Sequence, residues 1–460
     1  MLKKYFCFQE RQTNLETELL AGITTFMTMA YIIFVNPQIL NFFGDPSLQS
    51  LALPVSATMT VTCLSAGILC IAMGLFTNYP IAMAAGMGLN AVVAYQLVLG
   101  SKLSFASAMG IIVMEGIIIT TLVLTGFRKA VMDAIPMELK KSIGAGIGLF
   151  IAFIGFQQAG FVQKSDATLI TLGNFTSWGT LVTVIGFLLT LILISKRIHG
   201  AILWGILGTT GLAVILNYAT GFKAFPTPGT AVIPTDWFKM PDFSTMGHFD
   251  FNAFYKLGWI TAATLIFSIM LTDFFDTMGT VIGIGDKAGL LDKEGNLPGV
   301  NRVLLIDSLG AVFGGCCSAS SNTCYVESAS GVTLGGRTGL ASVVTGLCFL
   351  LAVFFSPIAA IVPKEATAPA LIIVGYLMLS AVTELDLSQF EVAFPAFLIL
   401  MTMPFTYSIS NGIGFGFIAY TLIHLLTGKG KQVHWLMYLI SLAFLIDFLI
   451  PLLKIQFHLI

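Results

Sequence analysis

Residues 79–90 read YPIAMAAGMGLN and residues 318–335 read SASSNTCYVESASGVTLG. Each stands where an apolar run ought to continue as a helix, and each makes a poor one. The first opens on a proline and carries Gly86 and Gly88; the second is rich in Ser and Thr and holds Glu327. Irregular backbone at membrane depth is tolerated only where it is buried in protein or lines a polar cavity. Two interrupted segments at corresponding places in the halves of a chain are the best sequence pointer to a transporter binding site.

The surroundings of both segments are those of a polytopic membrane protein. Only 10% of the 460 residues are charged, 56% are apolar and the mean hydropathy is +0.91, whereas about 25% charge is usual in soluble chains. Apolar stretches of bilayer length follow one another. A cytosolic enzyme is excluded, and a net charge of −1 excludes the basic footprint of a nucleic-acid binder. The seven cysteines show no metal-ligand spacing and the five histidines are scattered, so no metal site or cofactor is expected. No cleavable leader is read at the N-terminus, where a polar start runs into a long apolar segment.

Apolar runs give spans near 19–40, 56–76, 81–99, 105–125, 140–157, 178–195 and 200–217. A polar insert occupies 218–253, and seven more spans follow near 257–282, 303–317, 320–335, 338–361, 367–383, 391–407 and 409–427, with an apolar tail at 434–453. The two interrupted segments are therefore third in each half. With the N-terminus cytoplasmic, 15 Lys and Arg fall on inside ends and loops against 6 outside, which favours that orientation and makes the insert external. Seven is an odd number, so consecutive halves run in opposite directions and the repeat is inverted. Its traces are Pro136-Met137-Glu138 against Pro363-Lys364-Glu365, Gly148 against Gly375, and Gly116 against Gly346.

Intramembrane carboxylates are the sharpest chemical signal, because each costs about 2.5–3.5 kcal/mol at a helix centre. The candidates are Glu115, Asp273, Asp276, Asp307, Glu327 and Asp447. Asp273 and Asp276 share one face of the eighth span at i, i+3 spacing, and Glu327 lies in the broken tenth. Glu115 and Asp447 each stand alone on a regular apolar run, where a structural role is the simpler reading, and Asp307 fits the cytoplasmic end of the ninth span. Two desolvated carboxylates beside one cavity resist simultaneous ionisation, so one can hold a proton near neutral pH. In either state they can hydrogen-bond the N–H edge of a flat ligand. Phe274, Phe275 and Tyr325 are candidates for stacking on an aromatic substrate.

GITTFMTMAYIIFVNP (22–37), AAGMGLNA (84–91), GAGIGLFIAF (144–153), TDFFDTMGT (272–280), YVESASG (325–331) and APALIIVG (368–375) together resemble the AzgA-like purine permeases of the nucleobase–ascorbate/nucleobase–cation symporter superfamily. The resemblance runs in order over essentially the whole chain. It implies an all-α, 7+7 inverted-repeat fold with two half-helices preceded by short strands. A core domain would comprise 1–127 and 254–361, a gate domain 128–217 and 362–427, with the external loop 218–253 between and a hydrophobic tail at 428–460. It further implies uptake of hypoxanthine, guanine or adenine with protons, across the cytoplasmic membrane, by a chain that is not an enzyme. The purine base and membrane lipid would be its partners, a homodimer staying open. Carried over residue by residue, Asp276 takes the position of the substrate-binding acid in the related uracil and xanthine carriers, and Glu327 that of the acid in the tenth span. Ala85, Gly86 and Asn90 match the strand and half-helix of the third span. Thr280 stands where distant relatives have a histidine, so coupling through that histidine does not transfer.

Substrate binding is thus expected at Asp276, Glu327, Ala85, Gly86, Asn90, Thr280 and Phe275, and proton coupling at Asp276, Glu327 and Asp273. The repeat offset pairs Asn36 with Asp276 and Asn90 with Glu327, making the two asparagines neutral counterparts of the acids and Asn36 a supporting residue. Two rival readings remain. An anion or dicarboxylate carrier on the same architecture would want a cation at the half-helix ends, and no Lys or Arg lies within the apolar core of any span. A membrane prenyltransferase would read Asp273-Phe274-Phe275-Asp276 as a DxxD metal motif, but a second such cluster is lacking.

Overall fold

A computed structural model describes residues 2–126, 134–227, 230–292 and 297–457, with side chains to 450 in the last helix. Arg128, Lys129 and Lys293 of the charge argument, and the 127/128 domain junction, lie outside these residues.

The first apolar stretch is two helices rather than one. Helix α1 (Leu15–Met29) begins at Asn14, whose side chain accepts from the Thr17 N–H, a standard N-cap. At Ala30 and Tyr31 the ladder tightens, with Ile33 N–H bonding Ala30 O and Phe34 N–H bonding Tyr31 O, before α2 (Ile32–Leu40) resumes around Pro37. Helix α3 (Val55–Thr77) stops at Asn78 in the left-handed region, φ 56°, one of the few residue types that tolerate it.

The third segment has little regular helix. Strand β1 (Met83–Ala85) leads into a short helix, α4 (Met87–Ala91), and then a π-helical stretch, Val92–Gly100. Helices α5 (Phe105–Thr125), α6 (Met137–Gln158), α7 (Trp178–Ser195) and α8 (Ala201–Ala219) complete the first half. Between α6 and α7 an exposed hairpin, β2 (Val162–Ser165) with β3 (Leu169–Leu172), was not foreseen from the sequence.

The second half has α9 (Trp259–Lys287) and α10 (Val300–Cys316), then strand β4 (Asn322–Cys324) and the short α11 (Ser328–Thr333). Helices α12 (Gly339–Ala352) and α13 (Ser356–Ile361) form the eleventh segment, followed by α14 (Lys364–Leu379), α15 (Phe390–Thr406), α16 (Ile409–Leu426) and the tail helix α17 (Trp435–Phe457). Among the described residues, nine helical stretches are long and apolar enough to cross a membrane.

The inverted repeat is visible in the helix contacts. Gly148 on α6 and Gly375 on α14 face each other, each Cβ position falling 2.5–2.7 Å from the other's carbonyl oxygen. Helix α3 packs on α12 through Gly67 and Gly346, and α5 packs on α10 through Gly116 and Val312. These are the same contact made twice, second segment on eleventh and ninth on fourth, with Gly116 and Gly346 in equivalent places. Close approach of backbones at small residues replaces the hydrophobic drive that lipid cannot supply. Helices α1–α5 and α9–α12 pack mainly among themselves, as do α6–α8 and α14–α16; α9 touches α6 and α16 across the boundary.

Candidate functional site

Two broken segments meet at the centre of the bundle. Strands β1 and β4 pair antiparallel with Met83 opposite Cys324, Ala84 opposite Thr323 and Ala85 opposite Asn322. The ladder continues beyond the strands, with Gly86 N–H donating to Ser321 O and Tyr325 N–H to Ala82 O, both at 2.9 Å. The Tyr325 hydroxyl donates to Ala85 O at 2.5 Å, so Tyr325 is tied to the backbone of the opposite segment. Ser328 closes the other side, donating to Tyr325 O at 2.6 Å and accepting from Ala82 N–H at 2.9 Å. Unwound chain at this depth thus has its polar groups satisfied by its own symmetry partner. Gly86 lies against Thr323, whose Cγ2 sits 3.2 Å from where a Cβ would be.

The acids surround this ladder. Asp276 on α9 is half-buried and accepts from the Thr323 hydroxyl of β4 at 3.3 Å. Glu327, just before α11, is half-buried and accepts from the Tyr31 hydroxyl at 2.6 Å. Asn90 on α4 is fully buried, and neither of its amide atoms has a hydrogen-bond partner among the described residues. A buried amide without partners is costly, so this one is suited to meet a ligand. Past Asp276 along α9, the Cβ positions of Gly279 and Gly283 meet nothing within 4 Å and Ile282 is exposed. On its other side Ile269, Thr272 and Asp273 are buried. The face of α9 that bears Asp276 is therefore uncovered toward the Lys287 end and covered toward the other.

The structure separates residues that sequence had grouped. Phe275 is partly buried at the edge of the core, Thr280 is buried on the next turn of α9, and Ala85 contributes only backbone. Phe274 is 1% exposed and packs in the core, so it is removed from the stacking candidates. Asp273 is fully buried, which denies the DxxD pair the shared open face that binding a metal–diphosphate needs. Asn36 donates to Thr62 Oγ1 at 2.8 Å and to Ala319 O at 3.2 Å, holding the chain just before β4.

Two residues acquire a place that sequence reading missed. Asp307 is no helix-end residue: buried on α10, it accepts from the Thr277 hydroxyl at 2.8 Å and from Cys324 N–H at 3.1 Å, tying α9 to β4. Tyr31, at the break between α1 and α2, fixes Glu327. A groove of about 770 Å³ between α5, α9 and α17 is walled by apolar side chains such as Met114, Phe267 and Leu439, and none of the acids lines it.

Residues 16–415 match the Permease family. The chain belongs to that family. This permease is 42% identical to a protein of Methanocaldococcus jannaschii whose name says no more than permease, over 97% of this chain and 98% of the other. It is 40% identical to a guanine/hypoxanthine permease of Bacillus subtilis (97% and 99% covered) and 39% identical to an adenine permease of Escherichia coli (97% and 95%). Among solved structures, the transmembrane domain of the cyanobacterial bicarbonate transporter BicA superposes on the permease with a TM-score of 0.61, covering 86% of this chain and 97% of that one. At 17% identity that likeness speaks for the fold alone. The permease is a transporter and not an enzyme, in line with the loss of the DxxD reading.

Proposed function

We propose that the chain imports a purine nucleobase across the cytoplasmic membrane together with a proton, its N-terminus on the cytoplasmic side. The observation that carries this reading is the set Asp276, Glu327 and Asn90 around one ladder, two half-buried carboxylates and a buried amide with its donors and acceptor unspent. A purine edge alternates N–H donors and ring-nitrogen or carbonyl acceptors, which this set matches. The names of the guanine/hypoxanthine and adenine permeases support the same substrate class.

In this mechanism the base lies against the β1–β4 ladder with its polar edge on Glu327, Asp276 and Asn90, and Phe275 and Thr280 border it. Asp276, with Glu327 and Asp273 near it, holds the coupling proton, so that no unpaired charge crosses the low-dielectric centre. Helices α1–α5 and α9–α12 act as the core that carries the site, and α6–α8 with α14–α16 as the gate it moves against. A competition panel tests the substrate class: adenine, guanine and hypoxanthine should displace labelled hypoxanthine from cells carrying the protein. Bicarbonate and dicarboxylates should not; displacement by them alone would favour an anion carrier.

Tyr31→Phe removes the donor that fixes Glu327 and leaves the ring in place. KM for the base should rise on the order of tenfold, the weight of one hydrogen bond to a charged group. Maximal rate should change less. Unchanged KM would show that the Tyr31 contact does not prepare Glu327 for substrate.

A further inference from the structure

Three polar side chains of the first helix group reach the second at one end of the molecule. Near the end of α2, Gln38 Nε2 donates to Val362 O at 2.6 Å and its Oε1 accepts from the Thr367 hydroxyl at 3.4 Å. In the π-helical stretch, Gln96 Nε2 donates to Ser410 Oγ at 2.6 Å and its Oε1 accepts from Ile409 N–H at 3.1 Å. The ring of Tyr95 meets that of Tyr407 edge-on at 5.6 Å. Segments ending in α2, Gly100 and α6 finish at this end, and α14 and α16 begin there. The insert after α8 lies there too, since Gly247 N–H bonds Cys316 O and Asp250 N–H bonds Ala106 O.

Both glutamines are buried, at 9% and 6% exposure, and each uses donor and acceptor at once. Such an amide is fully satisfied only while its partners stay in register, so sliding the two groups past each other exposes unmet groups until water replaces them. The opposite direction is the one in which α9 opens past Asp276 toward Lys287. The clamped end and the open end are thus on opposite sides of the site.

We propose that Gln38 and Gln96 form a latch that must release before the site can open toward the insert-bearing face. They are positioning residues for transport and do not touch the base. This rests on the transporter reading above, in which the two groups move. Gln96 is placed to matter most, because the segment it anchors runs without interruption from Gly86 and Asn90 to Gly100. Fixing Gln96 to α16 fixes one wall of the site to the opposite group.

The test is hydrogen–deuterium exchange on the full-length protein in detergent, comparing wild type with Gln38→Leu and Gln96→Leu, which keep size and remove the amide. Losing a clamp should speed exchange beside its own partners, at 97–103 and 409–413 for Gln96 and at 38–41 and 364–368 for Gln38, on the order of fivefold, the weight of about one hydrogen bond, and leave 279–287 unchanged. Ser410→Ala, which deletes only the acceptor of Gln96, should give the same pattern from a smaller change. Uptake by these variants should show an altered maximal rate with KM nearly preserved. Unchanged exchange, or a rise of equal size at both ends, would overturn the latch. No nucleobase enters the exchange measurement, so a failed purine assay would sink the substrate reading and leave this result standing.

Discussion

Uptake of hypoxanthine by the Glu327→Gln protein should fall about 10- to 100-fold. The amide keeps an acceptor for the Tyr31 hydroxyl, which stands 2.6 Å from Oε1 in the native chain, so the fold survives. What is lost is the charge-assisted bond to a purine N–H, worth about 1.5–3 kcal/mol, and each 1.4 kcal/mol is about tenfold. Asp276→Asn should behave differently. Asparagine mimics the protonated acid and still accepts from Thr323, so binding and exchange of base across the membrane should persist while concentrative uptake is lost. Counterflow of labelled base, measured beside net uptake, separates the two. Full concentrative uptake in both variants would refute the roles given to Asp276 and Glu327.

The second large effect is on folding. Helices α3 and α12 cross at Gly74 and Gly339, where a Cβ on Gly339 would sit 1.9 Å from the Gly74 carbonyl oxygen. Backbone cannot yield as a flexible side chain does, so Gly339→Val must part the helices and break the Asn78 cap, whose Oδ1 accepts from Gly339 N–H at 2.9 Å. Overpacking alone costs about 1–3 kcal/mol, and the lost contacts add to it. The variant should show a strongly lowered melting temperature in detergent, or no folded protein. Gly144 on α6, whose Cβ position meets nothing within 4 Å, is the control. Gly144→Ala should be neutral or stabilising by up to about 1 kcal/mol, through helix propensity. Equal melting temperatures for both variants would contradict the packing account.

Much of this is legible in the sequence alone. The interruptions at 79–90 and 318–335 stood out because Pro, Gly and Ser cannot continue an apolar helix, and β1 and β4 lie within them. Gly148 and Gly375 were aligned by an offset and turn out to touch, since a residue on a pseudo-two-fold axis meets its own counterpart. Asp307 was misread because its partners, Thr277 and the Cys324 N–H, lie 30 and 17 positions away and one is backbone, which no side-chain pattern reveals. Tyr31 was missed for a related reason: one tyrosine in an apolar run reads as core until the structure brings Glu327 to its hydroxyl. The break at Ala30 and Tyr31 left no trace because both flanks are equally apolar. Glu115 is fully buried on α5, and neither carboxylate oxygen has a hydrogen-bond partner among the described residues.

Coupling of a purine to a proton by Asp276 and Glu327, as proposed above, is open to direct test. The most direct measurement is uptake of labelled hypoxanthine by proteoliposomes of the purified protein, with and without an imposed inward proton gradient. Base should accumulate above equilibrium only while the gradient lasts, and the accumulation should collapse with a protonophore and fail to appear with Asp276→Asn. Accumulation indifferent to the gradient, or none of any purine, would contradict this coupling.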